Sequence, residues 1–430
     1  MIMFRRIALI VAVAFWCCVA TLAQVTLDEC VSLAQANYPL ISKYGIIRSM
    51  QDVSLSDIGK SWLPQIYAYG QGTTQNVVPS LPEGLSLMLK QAGADLPGMS
   101  RQQYKLGVEL NQMVWDGGEN RSRRKIERAE TTERQAELDV QMYAVRERVE
   151  NLFFNILLVD EQIKQTCITE ELLKSNLMKL RSMKTNGVAM QSDVDMVEAR
   201  LLTLVRQLTQ LQSLSDSYRR MMEIYIGCKL DGRTLVKPKA VMPDNLSPDR
   251  PEQRLFKARM LTNEVRESSI RATLMPRVGL FAQAYYGYPG FDYFKSMTSR
   301  EPSANVMAGL KMSWTIGGLY NKRNKESRLR LLTEGISSDC DVFLFNTNLQ
   351  IQSQTDNIRA IEQMMKDDGR IVELNESVRR AAESQLNNGV IDATALLTKL
   401  TDENQARLTM AFHEIQLIQS IYQLKHILNR

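Results

Sequence analysis

The stretch VWDGGENRSRRK, residues 114–125, joins a run of alternating apolar and polar residues to a long segment without proline or glycine. Nearly the same junction, TIGGLYNKRNK, returns at residues 315–325, where Gly317 follows Gly117 at an offset of 200 residues. Alternation predicts a strand, and a long segment without helix-breaking residues predicts a helix. We therefore expect two strand-to-helix junctions, marked by Gly117 and Gly118 and by Gly317 and Gly318.

Two further segments also recur at offsets between 200 and 212 residues. SWLPQIYAYG at residue 61 is echoed by TLMPRVGLFA at residue 273, and NGVAMQSDVD at residue 186 by NGVIDATALL at residue 388. Self-similarity at a nearly fixed offset indicates an internal duplication. We expect each repeat to contain a helix, two strands joined by a loop, a very long helix, a turn and a shorter returning helix. The predicted divisions are a first repeat at 24–227, a linker at 228–251 and a second repeat at 252–430.

Residues 1–23 have the features of a secretory signal peptide. A short basic start, MIMFRR, precedes an apolar run from Ile7 to Ala20, and small residues surround a cleavage position after Ala23. The alternative, a membrane-anchoring helix, needs about 18 or more apolar residues. No lipobox precedes Cys17 or Cys18, so we do not expect lipidation there. The chain after residue 23 is therefore expected to be exported, and it either is soluble or crosses a membrane as strands.

The composition and motifs of the chain offer few candidate catalytic or metal-binding residues. Without Arg5 and Arg6 the formal charge falls from +5 to +3, which is close to balanced and implies no nucleic acid partner. The four cysteines after the signal have no metal-binding spacing, and the only two histidines, His413 and His426, lie in a helical pattern. No nucleophile elbow, phosphate-binding loop or dinucleotide-binding glycine pattern is present. We expect no enzyme activity, no metal and no cofactor.

A heptad seam follows the first junction. No glycine occurs between Glu119 and Lys184, so one helix there would run roughly 100 Å at 1.5 Å per residue. Apolar residues that step by 3 and 4 predict packing against partner helices. The seam comprises Leu138, Met142, Val145, Val149, Leu152, Ile156, Val159 and Ile163.

A turn and a returning helix follow the seam. Asn186 and Gly187 suit a left-handed helix end, and Ser192 or Asp193 is expected to cap the next helix. The second repeat carries the matching turn at Asn388 and Gly389. The returning seam, with one slip, is Val194, Val197, Leu201, Leu204, Leu208, Leu211, Leu214, Tyr218, Met221 and Tyr225.

The strands alternate between an apolar and a polar face. In the first repeat, the apolar set is Tyr104, Leu106, Val108, Leu110 and Val114; in the second it is Val306, Ala308, Leu310, Met312 and Trp314. Such strands fit a membrane barrel around water, and they equally fit a half-buried soluble sheet. The tryptophans after the signal all lie where a strand meets a helix, which favours a membrane interface, although core packing is an alternative; they are Trp62, Trp115 and Trp314.

In combination, these features resemble TolC-like outer-membrane efflux proteins. The resemblance covers nearly the whole chain after the signal, beginning with TLDECVSLAQANYPLI, which looks like the opening helix of the family. It implies a mainly helical homotrimer with a small membrane β portion. Duplicated helical hairpins would form a trimeric α-barrel in the periplasm, topped by a 12-strand transmembrane β-barrel with four strands per chain. The implied partners are a periplasmic adaptor, an inner-membrane transporter and outer-membrane lipid.

Barrel closure supports the trimer independently, because four strands cannot close a barrel when the smallest membrane barrels use about 8. The resemblance also implies an acidic constriction near the start of the last helix, but Ala395 and Thr398 lie there instead. The remaining candidates for the channel tip are Asp193, Asp195 and Asp392, each of which also fits a helix cap or first-turn charge.

Three classes of function stay open at this point. A passive channel of a tripartite efflux or type I secretion system is favoured. A periplasmic adaptor-like coiled-coil protein is the alternative, although one hairpin would then be expected rather than two. An enzyme is the third class. We also expect Cys30 and Cys228 to lie near each other, as a disulfide or as two unpaired thiols.

Overall fold

The computed structural model of the chain describes residues 24–93, 98–187, 189–230 and 232–430. The predicted signal peptide, with Cys17 and Cys18, lies outside the described residues. The strands are β1 (Gln24–Val25), β2 (Gln65–Thr74), β3 (Gln102–Trp115), β4 (Thr234–Leu235), β5 (Arg277–Tyr288) and β6 (Ser303–Ser313). The α-helices are α1 (Leu27–Asn37), α2 (Ser42–Lys60), α3 (Glu83–Gln91), α4 (Glu119–Thr185), α5 (Gln191–Ile226), α6 (Pro251–Thr273), α7 (Tyr293–Thr298), α8 (Lys322–Asn387) and α9 (Ala393–Leu428).

The predicted order of elements is present in both halves of the chain, although a short helix, α3 or α7, lies in each loop between strands and the opening helix is divided. That helix is divided into α1 and α2 by a short 3-10 turn at Pro39–Ile41. Pro39 has no N–H to donate and disfavours helical geometry at the residue before it, and Tyr38 is accordingly extended with ψ of 131°. At the other end of α1, Thr26 and Glu29 form a reciprocal capping box.

The long helix α4 has 67 residues and confirms the prediction of one uninterrupted rod. Seven of the eight predicted seam residues are buried, from Leu138 to Val159, and Ile163 is half-buried. Since these residues recur every 3 or 4 positions, they lie on one stripe of the helix. The apolar spacing therefore identified the face by which α4 packs.

The returning helix α5 follows its predicted seam only in its first half. Val194, Val197 and Leu204 are buried, but Leu214 and Met221 are exposed. The buried positions there are Ser215, Met222 and Ile226, one residue further along the chain. The prediction was wrong in this half because Ser215 is polar and broke the apolar pattern, although its hydroxyl is satisfied by Asp160 Oδ1 at 2.8 Å.

The chain divides into two compact units. The sheet unit comprises Ile46–Arg134 and Phe256–Ser338. Its core feature is an antiparallel sheet in the order β2-β3-β5-β6, so a strand pair from each half of the chain forms a single sheet.

The helical unit comprises the described residues up to Gly45 together with Gln135–Leu255 and Asp339–Arg430. One of its apolar clusters includes Cys30 of α1, Phe153 of α4 and Met222 of α5, none of which is exposed to solvent. Asn37 donates from its side chain to the carbonyls of Ile224 and Tyr225 at 3.2 and 3.1 Å, which satisfies carbonyls at the end of α5. The start of the chain is thereby tied to the end of the first hairpin.

Candidate functional site

One face of the four-stranded sheet is apolar and exposed. Leu106 of β3 pairs with Tyr286 of β5, which pairs with Ala304 of β6, so side chains of even number share this face along the strands. Leu106 is 71% exposed and Val306 75% exposed. The large apolar side chains exposed there are Ile66, Tyr104, Leu106, Val108, Leu280, Tyr286, Val306, Leu310 and Met312. Most residues of the predicted apolar sets of both repeats therefore share one face, which the described residues leave largely exposed.

The opposite face of the sheet carries polar groups that bond with one another. Gln283 donates from its side-chain amide to the hydroxyl of Tyr69. Asn111 Nδ2 donates to Glu109 Oε1 at 2.8 Å, and Lys105 Nζ lies 4.9 Å from the centre of the Tyr285 ring. An apolar face and a hydrogen-bonded polar face on one thin sheet are what strands between lipid and water require.

Gly107 is one of the positions of the polar face where only glycine fits. A Cβ added at Gly107 would lie 2.7 Å from Tyr285 Cβ and 2.9 Å from the Tyr69 ring. The two tyrosines therefore close over the backbone of Gly107, which keeps aromatic rings on this face beside the polar groups.

A bulge near the end of β3 decides which way Trp115 faces. Met113 pairs with Gly279 and Trp115 with Val278, so Val114 is an extra residue on this strand. A bulge of this kind re-aims the side chains that follow it. Trp115 consequently lies in register with Val278 and Met312, which belong to the apolar face.

The first double-glycine junction depends on left-handed backbone. Gly117 and Gly118 have φ of +69° and +88°, a region that side chains disfavour. Asp116 is buried, and its carboxylate accepts from Gly118 N at 2.9 Å and Asn120 N at 2.7 Å. These bonds satisfy donors at the start of α4, so the junction turns the chain and caps the helix at once.

The second junction has a similar sequence but a different backbone conformation. Gly317 and Gly318 lie in a short 3-10 helix, Ile316–Leu319, and neither has positive φ. Trp314 anchors this segment by donating from its indole N–H to the carbonyl of Leu274 at 2.9 Å. The similarity of the two junctions in sequence therefore does not extend to their local geometry.

The two hairpin turns have the same construction. Gly187 and Gly389 have φ of +75° and +70°, and each donates its N–H to the carbonyl three residues earlier, at 3.0 and 2.9 Å. Asn186 and Asn388 donate in the same way four residues back, each at 3.2 Å. One apolar cluster joins the four helices next to these turns through Leu180, Val194, Leu386, Ala393 and Leu396, among others. Both turns thus lie at the same end of the helical unit.

The three predicted tip aspartates contact the starts of their own helices. Asp392 is the N-cap of α9 and accepts from Ala395 N at 2.8 Å. Asp193 accepts from Met190 N at 2.9 Å, and Asp195 accepts from the side chain of Gln191. Because α5 begins at Gln191, neither Ser192 nor Asp193 is the N-cap; Asp193 lies inside the first turn and reaches back. Asp195 and Asp392 stay exposed to solvent.

The sequence did not predict a charged network just behind the tip of the second hairpin. Arg379 of α8 contacts Glu383, at 2.7 Å, and the buried Glu403 of α9. Arg407 contacts Glu403 at 2.8 Å and Glu376 at 2.9 Å. The spacing of four residues between Arg379 and Glu383, and between Glu403 and Arg407, was the available signal. This network ties α8 to α9 at the point where they approach the turn.

Cys30 and Cys228 lie in one apolar cluster, as expected, and both are free thiols in the structure. Burial, with a smaller contribution from the nearby Cys228, raises the pKa of Cys30 to about 12. This thiol is therefore protonated at physiological pH.

In the part of the chain that the structure describes, no group of three or more His, Cys, Asp or Glu residues is arranged to hold a metal ion. Among the same residues, no helix combines the length and apolar character needed to cross a membrane.

Comparison with known proteins finds a match in fold and none in sequence. No protein-family model matches the chain, and no curated protein matches it. The outer membrane protein VceC from Vibrio cholerae is 12% identical with a TM-score of 0.65, over 94% of this chain and 95% of that one. The Campylobacter jejuni CmeC outer membrane channel is 13% identical with a TM-score of 0.65, over 94% and 85%.

A further similar structure is the open state of the Neisseria gonorrhoeae MtrE outer membrane channel, which is 12% identical with a TM-score of 0.62, over 94% of this chain and 88% of that one. The chain therefore has the mainly helical fold of these channels, with long helices and few strands. The resemblance to TolC-like proteins that the sequence suggested is supported at the level of the fold.

Proposed function

We propose that the chain is the outer-membrane channel of a tripartite efflux or type I secretion system. In this role it passively conducts substrates from a pump and an adaptor across the periplasm and the outer membrane. The observation that carries the proposal is the two-faced sheet, whose exposed apolar face suits lipid and whose polar face suits a water-filled pore. The similarity in fold to outer membrane channels agrees with it.

The edges of the sheet support a homotrimer. Within the described residues, β2 and β6 each pair with one neighbour only, so both leave a row of backbone groups unpaired. Such an edge is not tolerated in lipid. The strands alternate in direction across the sheet, and β6 of one chain is therefore antiparallel to β2 of the next. Three chains of four strands would close a barrel of twelve without breaking this pattern.

The helices supply the periplasmic part of the proposal. At 1.5 Å per residue, the 67 residues of α4 extend about 100 Å. The turns at Gly187 and Gly389 would lie at the periplasmic tip, where an adaptor docks and where threefold symmetry brings three copies of Asp193, Asp195 and Asp392 around one opening. The adaptor-like alternative fits less well, because two hairpins and a two-faced sheet are present in one chain.

The test is assembly and conductance of the protein purified in detergent. We expect a trimer by light scattering, a helical circular dichroism spectrum with a minority of strand, and discrete channels in planar bilayers. A monodisperse monomer that needs no detergent would exclude the proposal. Membrane fractionation separates the alternatives as well, because a channel requires detergent for extraction and an adaptor does not.

A pair of proline variants tests barrel closure itself. The N–H groups of Val306 and Met307 are adjacent on β6 and point to opposite sides of the strand in the plane of the sheet. At a free edge, one of these N–H groups points to solvent, and its replacement by proline is tolerated. In a closed barrel both are bonded, so we expect Val306→Pro and Met307→Pro each to abolish the trimer. One variant that still forms trimeric channels would contradict closure through β6.

A further inference from the structure

Both long helices begin with exposed basic residues that have no acidic partner among the described residues. Arg121 and Arg124 of α4 are exposed, as are Arg323 and Lys325 of α8. None of their side chains lies within 4.0 Å of a carboxylate of the described residues. We name the following set the basic collar: Arg121, Arg124, Lys125 and Arg128 of α4, and Arg323, Lys325 and Arg328 of α8.

Helix stability does not explain the collar. The partial positive charge at the start of a helix disfavours nearby cations and favours acidic residues. Both helices nevertheless concentrate cations there, and only a minority are neutralised, for example Arg123 by Glu119 at 2.7 Å. An external anion would offset this unfavourable placement.

A cavity at the first junction combines collar residues with two tryptophans. It measures about 390 Å³ and is lined by Trp62, Trp115, Arg121 and Arg124 with Gly118 and Asn120, among others. Asp116 also lines it, but its carboxylate is engaged by the backbone N–H groups of Gly118 and Asn120 at 2.9 and 2.7 Å. The two guanidinium groups are therefore the free charged groups of this cavity.

The order of side chains along the sheet unit matches the order of layers in a lipid leaflet. The apolar face of the sheet ends beside Trp115 and Trp314, which are 45% and 50% exposed. The collar begins six residues after Trp115 and nine residues after Trp314 along the chain. Apolar strands suit acyl chains, tryptophan suits the interface, and arginine suits phosphate oxygens. The charge and the continuity with the apolar face together select an anionic lipid as the partner.

We propose that the basic collar binds the phosphate groups of anionic phospholipids in the leaflet next to the long helices, with its strongest site in the cavity of Trp62, Trp115, Arg121 and Arg124. This inference rests on the proposed function, since it requires the sheet to span a membrane. The bound headgroups would fix the depth at which the channel sits.

Native mass spectrometry of the detergent-solubilised protein, titrated with phosphatidylglycerol or phosphatidylcholine, tests the proposal. Each basic residue near an anionic lipid surface is expected to contribute about fivefold to affinity. The double variant R121Q/R124Q should therefore bind phosphatidylglycerol about 25-fold more weakly, with little change for phosphatidylcholine. The matched control is R200Q/R206Q on α5, which removes the same charge from two exposed arginines outside the collar and should bind like the wild type.

A second variant, R323Q/K325Q, tests the other junction and should also weaken phosphatidylglycerol binding, by less because neither residue lines the cavity of Trp62 and Trp115. Equal binding of phosphatidylglycerol by wild type and both collar variants would overturn the inference. Purified wild-type protein that retains lipid A in preference to phosphatidylglycerol would also overturn it. If those variants still insert and conduct in bilayers, the proposed channel stands and only the lipid site fails. A wild-type chain that neither inserts nor conducts would overturn both.

Discussion

The two long helices have nearly the same length, 67 residues in α4 and 66 in α8, but they bury their apolar residues differently. The side chains that α4 buries within the chain are mostly apolar, although Thr131, Glu150, Thr166 and Asn176 are buried among them. The buried stripe of α8 is mixed, with Thr347, Thr355 and Asp368 among its isoleucines.

The same helix α8 also carries an apolar stripe that its own chain leaves uncovered. Val342, Phe345 and Leu349 are 56%, 64% and 56% exposed and are spaced by 3 and 4 residues, so they lie on one face. An exposed apolar stripe on a helix marks an interaction surface. Two helices of nearly equal length can therefore differ in what they contact. The exposure of an apolar stripe, rather than helix length, indicates where a second chain is expected. In the proposed trimer, that chain is a neighbouring copy.

Removing this stripe is expected to abolish assembly. The double variant F345Q/L349Q should lose the trimer while keeping its helical circular dichroism, because each apolar side chain buried at an interface contributes about 1.5–3 kcal/mol and the loss recurs at every interface. Light scattering in detergent measures the assembly. The control N346A/Q350A changes two exposed polar neighbours and should remain trimeric.

The corresponding change in α4 sharpens the contrast. L152Q/I156Q places polar groups in the buried cluster of a single chain, so the folded helical unit itself should be lost, with its circular dichroism. A trimeric F345Q/L349Q variant would show that the α8 stripe lies outside the interface.

The sequence predicted those features that depend on local chemistry. The α4 seam, the glycine turns at Gly187 and Gly389, and the two faces of the strands follow from spacing and backbone preference alone. The division of the opening helix at Pro39 could also have been predicted from the sequence, but it was not. The features that the sequence did not predict depend on residues distant in the chain. The shift of the buried stripe in α5 requires Asp160, which accepts from Ser215. The direction of the Trp115 side chain depends on the pairing of β3 with β5.

The candidate site was predicted less completely than the fold. Asp193, Asp195 and Asp392 are charged residues beside a turn, which the sequence shows, but their hydrogen bonds to helix starts require the observed boundaries. The network of Arg379 and Glu403 joins two helices whose register no local pattern specifies.

A second prediction concerns the polar packing of α8. Asp368 is buried at 8% exposure, and His413 Nδ1 of α9 lies 2.8 Å from its Oδ2. His413→Leu should destabilise the helical unit by about 3–5 kcal/mol, because it leaves a buried carboxylate without its partner. The double variant D368L/H413L should recover most of that loss, since an apolar pair resembles the packing of α4. Urea unfolding followed by circular dichroism measures both. A double variant no more stable than H413L would refute the pairwise explanation.

A third prediction uses the polar group that packs against α4. The ring of His426 stacks on Tyr143 at 4.2 Å, and burial, with Arg146 and Arg250 nearby, lowers the pKa of His426 from 6.5 to about 4. Between these values the unfolded chain binds the proton and the folded chain does not, so stability falls as pH falls. From pH 7.5 to pH 5 the loss should be about 2 kcal/mol.

The variant His426→Gln isolates this contribution. Burial raises the pKa of the neighbouring Glu150, which favours the folded state at lower pH and partly offsets the histidine in the wild type. The measured quantity is therefore the difference between wild type and variant in unfolding free energy at pH 7.5 and at pH 5. A difference independent of pH would mean that His426 titrates normally in the folded protein.

The smallest effect is expected at the tip, where both repeats are alike and where stability and charge can be separated. Three copies each of Asp193, Asp195 and Asp392 around one opening should favour cations, an effect that salt screens over about 8 to 10 Å. We expect a mostly closed, weakly cation-selective resting pore. D193A/D195A/D392A should weaken the cation preference in planar bilayers and raise basal conductance, since it removes the charges and the contacts to the helix starts together.

The matched variant D193N/D195N/D392N decides between these two causes. Asparagine caps a helix about as well as aspartate but carries no charge, whereas alanine at an N-cap costs about 1 kcal/mol. If charge sets selectivity, the asparagine variant should lose the cation preference as fully as the alanine variant while its basal conductance stays low. If the asparagine variant keeps the preference of the wild type, the aspartates act only at their helix starts, and the constriction is formed by other residues.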